Sequence, residues 1–306
     1  MRPSWVAASV RARLIAMHGL GREGALELAA RGALDDAVAA LAGTVYGEAV
    51  RPGADLAEAQ RAVARTALWQ LRVLAGWLPP GAAMRARVLA AWFEIANADE
   101  RLAELAGMAS RAEFDLGVLG SASRRIASAG STADIRAALT ASEWGDPGGD
   151  APAVIARALR LAWARRALDA LPATAPWALG AVALLLARDL AAGNRPQGAL
   201  ARLPELGSGI AEAGDIAGLA QRLSPRAAWA LKGVDDAGAL WIAEAGWWRR
   251  VEHDARAMLS RGSDGTSALT GAAALVLVDA RRVSAALAAA ARGGTPAALE
   301  VLDAVA

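Results

Sequence analysis

Cysteine is absent from this 306-residue chain. That excludes disulfides, thiolate metal sites and cysteine nucleophiles. Aromatic residues are scarce at 5%, with one Tyr and two Phe, although 55% of the chain is hydrophobic. Ala, Leu and Val therefore supply most of the apolar mass, and cores of that kind bring helices close through small side chains. Lysine is nearly missing. Lys232 stands alone among cations that are otherwise Arg, which fits the codon bias of a GC-rich gene. Lys232 also lacks the Gly-x-x-x-x-Gly-Lys-Ser/Thr surroundings of a phosphate loop, which excludes nucleotide binding by that route. Charge of one sign is not in excess: 33 Lys+Arg face 31 Asp+Glu. A general nucleic-acid binder needs a net basic face, so that class is set aside. The two histidines, His18 and His253, have no ligand-type neighbour four residues on, so a zinc site is not expected.

Long hydrophobic runs are missing too. The longest uncharged stretches, Ala175 to Ala187 and Ala268 to Val278, fall short of the ~20 residues a spanning helix needs. They read as buried core helices. The start, Met1-Arg2-Pro3-Ser4-Trp5, has no apolar run behind it, because Arg11 and Arg13 interrupt; a secretory leader is not expected. No segment alternates with the period of a β-strand, and no strand is predicted.

What is present is repetition. Asp36-Ala37-Val38-Ala39-Ala40-Leu41-Ala42-Gly43-Thr44-Val45-Tyr46-Gly47 returns as Asp134-Ile135-Arg136-Ala137-Ala138-Leu139-Thr140-Ala141-Ser142-Glu143-Trp144-Gly145, 98 positions later. A weaker third block runs from Asp215 to Trp229. Each block precedes a helical run carrying Trp and Arg, then a more apolar helical run. Repetition at fixed spacing sets the architecture, and a chain of this length is expected to divide into units of roughly 100 residues. The expectation is an all-α fold of three similar helical units, 1–109, 110–203 and 204–306. Asp55 is placed to cap a long helix from Leu56 to Leu78, on which Leu68, Leu71, Leu74 and Leu78 share a face, and Pro79-Pro80-Gly81 stops it.

Chemistry-bearing patterns are few. Gly19-x-Gly21-x-x-Gly24 matches dinucleotide-binding loops in letters, but a helix rather than a strand precedes it, so an interhelical turn is expected. The pairs Asp35-Asp36 and Asp235-Asp236 lack a third carboxylate one turn on, and helix N-terminal stabilisation accounts for them. Ser208 has no strand–turn–helix context for a nucleophile. Eleven tryptophans are unusual. Most fall on predicted helices and suit core packing, whereas Trp247-Trp248 are adjacent and cannot both face one core, which marks them as a candidate partner surface.

Three ordered elements carry a family resemblance. Trp5-Val6-Ala7-Ala8-Ser9-Val10-Arg11-Ala12-Arg13 looks like an opening aromatic-x-x-x-Arg-Val-Arg-x-Arg helix, with Ser9 in place of the first Arg. Leu41-Ala42-Gly43-Thr44-Val45-Tyr46-Gly47 matches a Leu-x-x-Thr-x-Tyr-Gly turn. Phe93-Glu94-Ile95-Ala96-Asn97 is similar to an Asp/Glu-hydrophobic-x-Asn element. Together they resemble the C-type rotor subunits of V/A-type (vacuolar/archaeal-type) rotary ATPases, a family whose eukaryotic relative is the d-type component of the membrane sector. The match is good over about residues 4–107. Beyond that it is one of outline, with Arg281 agreeing on the last helix but Asp279 and Arg282 standing where the family usually has Lys and Glu.

The resemblance implies a funnel of three helical units about a pseudo-threefold axis, seated on the cytoplasmic face of the proteolipid ring and gripping the central-stalk rotor subunits. It implies a non-catalytic component that transmits torque, with no cofactor, metal or small-molecule substrate. Trp5, Arg11, Thr44, Tyr46, Gly47, Asn97 and Arg281 would be structural or contact residues, with Gly47 in a backbone conformation closed to bulky residues. Two rivals remain: a stand-alone helical scaffold that kept the fold without the complex, and an Asp-rich-motif lyase.

Overall fold

The computed structural model describes residues 3–79, 82–195, 203–261 and 265–294. In chain order its α-helices are α1 (Pro3–Met17), α2 (Gly21–Ala29), α3 (Leu34–Ala40), α4 (Leu56–Gly76), α5 (Ala83–Leu105), α6 (Ser123–Ala127), α7 (Thr132–Thr140), α8 (Pro152–Ala170), α9 (Ala175–Ala191), α10 (Ile216–Arg222), α11 (Pro225–Ala228), α12 (Leu240–Arg261) and α13 (Gly265–Ala290). The fold is all-α. Among the described residues there is no strand, only an isolated antiparallel bridge between Gly207 and Leu223.

Helix ends fall where local chemistry puts them. Asp55 caps α4 with a reciprocal box: Glu58 N–H donates to Asp55 Oδ1 at 2.8 Å, and Asp55 N–H donates to Glu58 Oε2 at 3.3 Å. Such a cap contributes about 1 kcal/mol. Ser131 caps α7 and Asp215 caps α10 by the same logic. Proline opens α8 and α11 at positions whose N–H would have no partner anyway.

Two compact units result. One unites the two ends of the chain, Met1–Pro80 with Trp248–Ala306; the other is Gly81–Trp247. Packing thus cuts the chain at different points from the repetition read in the sequence. In the first unit α1, α2 and α4 all pack on α13. Its alanines, Ala268, Ala272, Ala273, Ala286 and Ala290, are fully buried, and small side chains let three helices approach one. Gly271 shows how close: a Cβ there would lie 2.6 Å from the Ala255 carbonyl oxygen of α12.

In the second unit α5 carries α6, α7 and α8, and α9 carries α10 and α11. Ile95, Ile126, Ile135, Leu139, Trp144, Ile155 and Leu159 form one buried cluster, with Trp92 and Trp163 packed ring to ring at 5.0 Å beside it. Residues Pro172–Ala191 are long and apolar enough to cross a bilayer by length and composition, but 61% of that stretch is buried in the protein. Trp177, Leu179, Val182 and Leu186 are among its core side chains, as in a core helix.

Candidate functional site

The Thr44–Gly47 turn is held by its own side chains before anything else touches it. Thr44 Oγ1 donates to the Leu41 carbonyl at 2.8 Å, and Tyr46 N–H donates back to Thr44 Oγ1 at 3.2 Å. This serine/threonine turn swings Tyr46 inward, where it is 1% exposed. Its hydroxyl donates to Asp279 Oδ2 at 2.7 Å, across 233 residues of chain. The same carboxylate accepts Leu20 N–H at 2.9 Å and Gly21 N–H at 2.7 Å, where α2 begins. Burial, then the Asp279 charge and the hydrogen bond to it, push the Tyr46 phenol far above its ordinary range. Tyr46 is therefore a fixed donor.

Gly47 is required for a reason other than the one expected. It is not among the glycines with positive φ. The constraint is a close approach: a Cβ at this position would overlap the Ala42 carbonyl group and lie 2.7 Å from the Leu41 oxygen. The Gly19-x-Gly21 turn is likewise part of this plug. A Cβ on Gly19 would come within 2.9 Å of Asp279 Cγ, and Gly21 adopts φ +72°. The letters of a phosphate-binding loop here receive a carboxylate of the chain itself.

The second unit builds the same device. Ser142 Oγ donates to the Leu139 carbonyl at 2.7 Å, and Trp144 N–H donates to Ser142 Oγ at 3.2 Å. Trp144 turns inward, and its Nε1–H donates to Glu94 Oε2 at 2.9 Å. Glu94 also accepts Ser121 N–H (2.8 Å) and Ala122 N–H (2.6 Å), together with the Ser121 and Ser123 hydroxyls. An aromatic donor and two consecutive backbone N–H groups thus converge on a buried carboxylate of a long helix in both units. The third aromatic, Trp229, lies against Gly180 of α9 instead, 2.8 Å from where a Cβ would stand.

The remaining predicted residues divide between the units. Asn97 is buried and pairs with the backbone of one residue through both its amide atoms: its Nδ2 donates to the Phe114 carbonyl at 2.9 Å, and Phe114 N–H donates to Asn97 Oδ1 at 2.8 Å. Trp247 is buried, with Nε1–H donating to the Trp177 carbonyl at 2.8 Å, so it belongs to the core of the second unit rather than to a partner surface. Trp248, half-buried, has the Arg281 guanidinium 4.9 Å above its ring. Trp5 is half-buried against Gly265, and its carbonyl accepts the Ser9 hydroxyl at 2.7 Å. Arg11 is exposed, 5.9 Å from the Trp77 ring centroid.

Sequence reasoning missed the central place of Asp279 and Glu94. A signal was available, since each is an isolated acid within an apolar helical run. Asp279 and Arg282, the departures from the family pattern, both have internal partners. Arg282 Nη2 lies 2.7 Å from Glu252 Oε2, and Arg256 Nη2 lies 2.5 Å from Glu252 Oε1. Burial raises the Glu252 pKa, but Arg282 and Arg256 outweigh it and hold it below the usual carboxylate range. Arg166 lies 2.7 Å from Glu143 and 4.8 Å over the Trp144 ring. Its Nε and Nη1 find no hydrogen-bond partner, and burial lowers its pKa despite the acids nearby.

The chemistry available is that of saturated contacts. Asp279 and Glu94 are each occupied by three or more donors. Among the described residues no group of three or more His, Cys, Asp or Glu is placed to hold a metal. The Asp pairs sit at helix starts: Asp35 and Asp36 in the first turn of α3, and Asp236 accepting Ala239 N–H at 3.1 Å. Two clefts open to solvent. One, about 750 Å³ in the second unit, is walled by Glu143, Trp144, Arg157 and Arg166. The other, about 510 Å³ in the first unit, runs between Arg11, Leu14 and His18 of the α1 end and Trp69, Gln70 and Val73 of α4. In comparisons with known proteins, no family model matches the chain and no curated protein does.

Proposed function

We propose that the chain is a non-catalytic rotor socket of a V/A-type rotary ATPase, related to the C-type rotor subunits. In this reading three helical units, 1–109, 110–203 and 204–306, surround a pseudo-threefold axis as a funnel. The central stalk enters its mouth and the proteolipid ring lies beneath, on the cytoplasmic side of the membrane. Torque passes through it between nucleotide hydrolysis or synthesis and proton or sodium movement.

The observation that carries this reading is the plug built twice. The turn that matches the family, Thr44–Gly47, and its counterpart Ser142–Gly145 use the same two internal hydrogen bonds and the same inward aromatic donor. That supports duplication of a whole structural unit rather than chance likeness of letters. A coupler needs stiffness and no reactive group, and buried carboxylates saturated by donors supply rigidity.

The second reading, a stand-alone scaffold, draws on Asp279 and Arg282. Both depart from the family pattern, and both are engaged inside the chain. Affinity purification of the tagged protein from native membranes separates the two. Co-elution of stalk, head and proteolipid components supports the rotor socket. Recovery of the protein without any of them overturns it in favour of the scaffold.

A further inference from the structure

The first unit leaves a large apolar face uncovered. On α1, Val6, Val10, Leu14 and Met17 are 43%, 52%, 45% and 78% exposed. At 100° per residue these four fall within an arc of about 80°, opposite the buried Ala8 and Ala12. Beside them Trp69 of α4 and Trp77, the residue that follows its C-terminal end, are 58% and 51% exposed. Six large apolar side chains on and at the end of two neighbouring helices exceed the scattered exposure ordinary for a soluble surface.

The two helices beside this face carry charge of almost one sign. α1 contains no Asp or Glu, and its Arg11 and Arg13 flank the stripe on either side. α4 has no acid after Glu58 at its start, while Arg65 is exposed alongside Trp69. Exposed His18 closes the end. α1 and the body of α4 thus bring arginines and no acid of their own to the apolar patch. Val, Leu and Met in the middle, Trp beside them and Arg at the margins is the order in which side chains partition into a bilayer interface.

We infer that the α1–α4 face docks directly on an anionic phospholipid surface. The alternative, an acidic helix lying in the cleft between α1 and α4, would cover the cleft wall of Leu14, Trp69 and Val73. It would leave Val6, Val10 and Met17 in water, because they do not line that cleft. A plane of lipid covers all of them and pairs the arginines with headgroup phosphates and carboxylates. This contact is with lipid, not with a proteolipid protein, and it does not rest on the rotor reading.

The test is co-sedimentation of the purified full chain with vesicles of phosphatidylcholine alone and with about a third phosphatidylserine. Binding is expected only to the anionic vesicles and falls as salt is raised. Arg11→Gln and Arg65→Gln each weaken it about fivefold. Val10→Glu with Leu14→Glu weakens it at least tenfold. Met17→Glu, at the most exposed of the four positions, serves the same purpose should the double variant melt early. Trp241→Ala, at an exposed site in the second unit, leaves binding unchanged. No binding, equal binding to neutral vesicles, or full binding by the Glu variants overturns the inference. A self-association abolished by the Glu variants, without vesicle binding, overturns it too and assigns the face to a second copy of the chain.

Discussion

Tyr46→Phe removes one oxygen and nothing else, so its effect isolates the bond that ties the Thr44–Gly47 turn to α13. The phenol donates at 2.7 Å to a carboxylate that is 6% exposed. A hydrogen bond to a charged group contributes about 1.5–3 kcal/mol. After the change Asp279 keeps Leu20 N–H and Gly21 N–H, so the charge is not stranded, and about 2 kcal/mol is the expected loss. Asp279→Ala removes the acceptor from three donors together, the buried Tyr46 hydroxyl and two half-buried N–H groups. At about 1–3 kcal/mol for each stranded group, it is the more severe change, at about 4 kcal/mol or above. For a unit of this size 2 kcal/mol corresponds to a fall of roughly 4–8 °C in melting temperature. Calorimetry with hydrogen exchange on α2 and α3 reads both the size and the place, which matters because two compact units need not unfold as one. If Tyr46→Phe shifts stability by less than about 0.5 kcal/mol, or loosens α7 and not α2–α3, the bond is not the tie described here.

Asn97→Ala strands the Phe114 N–H and carbonyl in the core and is expected to cost about 2–4 kcal/mol, read as an earlier unfolding transition of the second unit. Gly47→Val drives a side chain into the Ala42 carbonyl and costs roughly 2–3 kcal/mol; an unchanged melting temperature contradicts the steric account. At high pH the unfolded chain loses the Tyr46 proton near pH 10 while the folded state keeps it. Stability is therefore full below about pH 10 and falls above it, and Tyr46→Phe flattens that limb. Glu252 behaves in the opposite sense. Its lowered folded pKa gives stability that is present above the unfolded carboxylate value and is lost as pH falls through the folded one. Glu252→Gln is expected to shallow the acid limb, measured by denaturant titration across pH.

The all-α class was legible because every long apolar run in the chain has the helical period and none alternates. The cap at Asp55 was legible from a single residue, since a cap is local chemistry, while the return bond to Glu58 was not. The plug was half legible. Tyr46 stood out as the lone tyrosine in a repeated turn, but its acceptor lies 233 residues away, and no local rule joins positions so distant. The Gly47 error has the same root: a glycine needed for φ and one needed for clearance look alike in letters. Trp247 departs from the expectation of a partner surface for a different reason, because it is buried, whereas Trp248 is half-buried. Adjacent residues do face apart, as the helix demands, yet each found cover of its own, Trp247 in the core of the second unit and Trp248 under Arg281. The exposed tryptophans, Trp69, Trp77 and Trp241, carry no sequence mark that separates them from buried ones.

The two plugs use different atoms for one purpose, and the difference limits what can be exchanged between them. Asp279 reaches two N–H groups and a phenol; Glu94, one methylene longer, reaches two N–H groups, two hydroxyls and an indole. Side-chain length is matched to the aromatic: tyrosine carries its donor at the ring tip, whereas tryptophan carries it on the ring edge. Around Trp229 the helix supplies Gly180 and the ring packs directly on backbone, a contact that needs no charge.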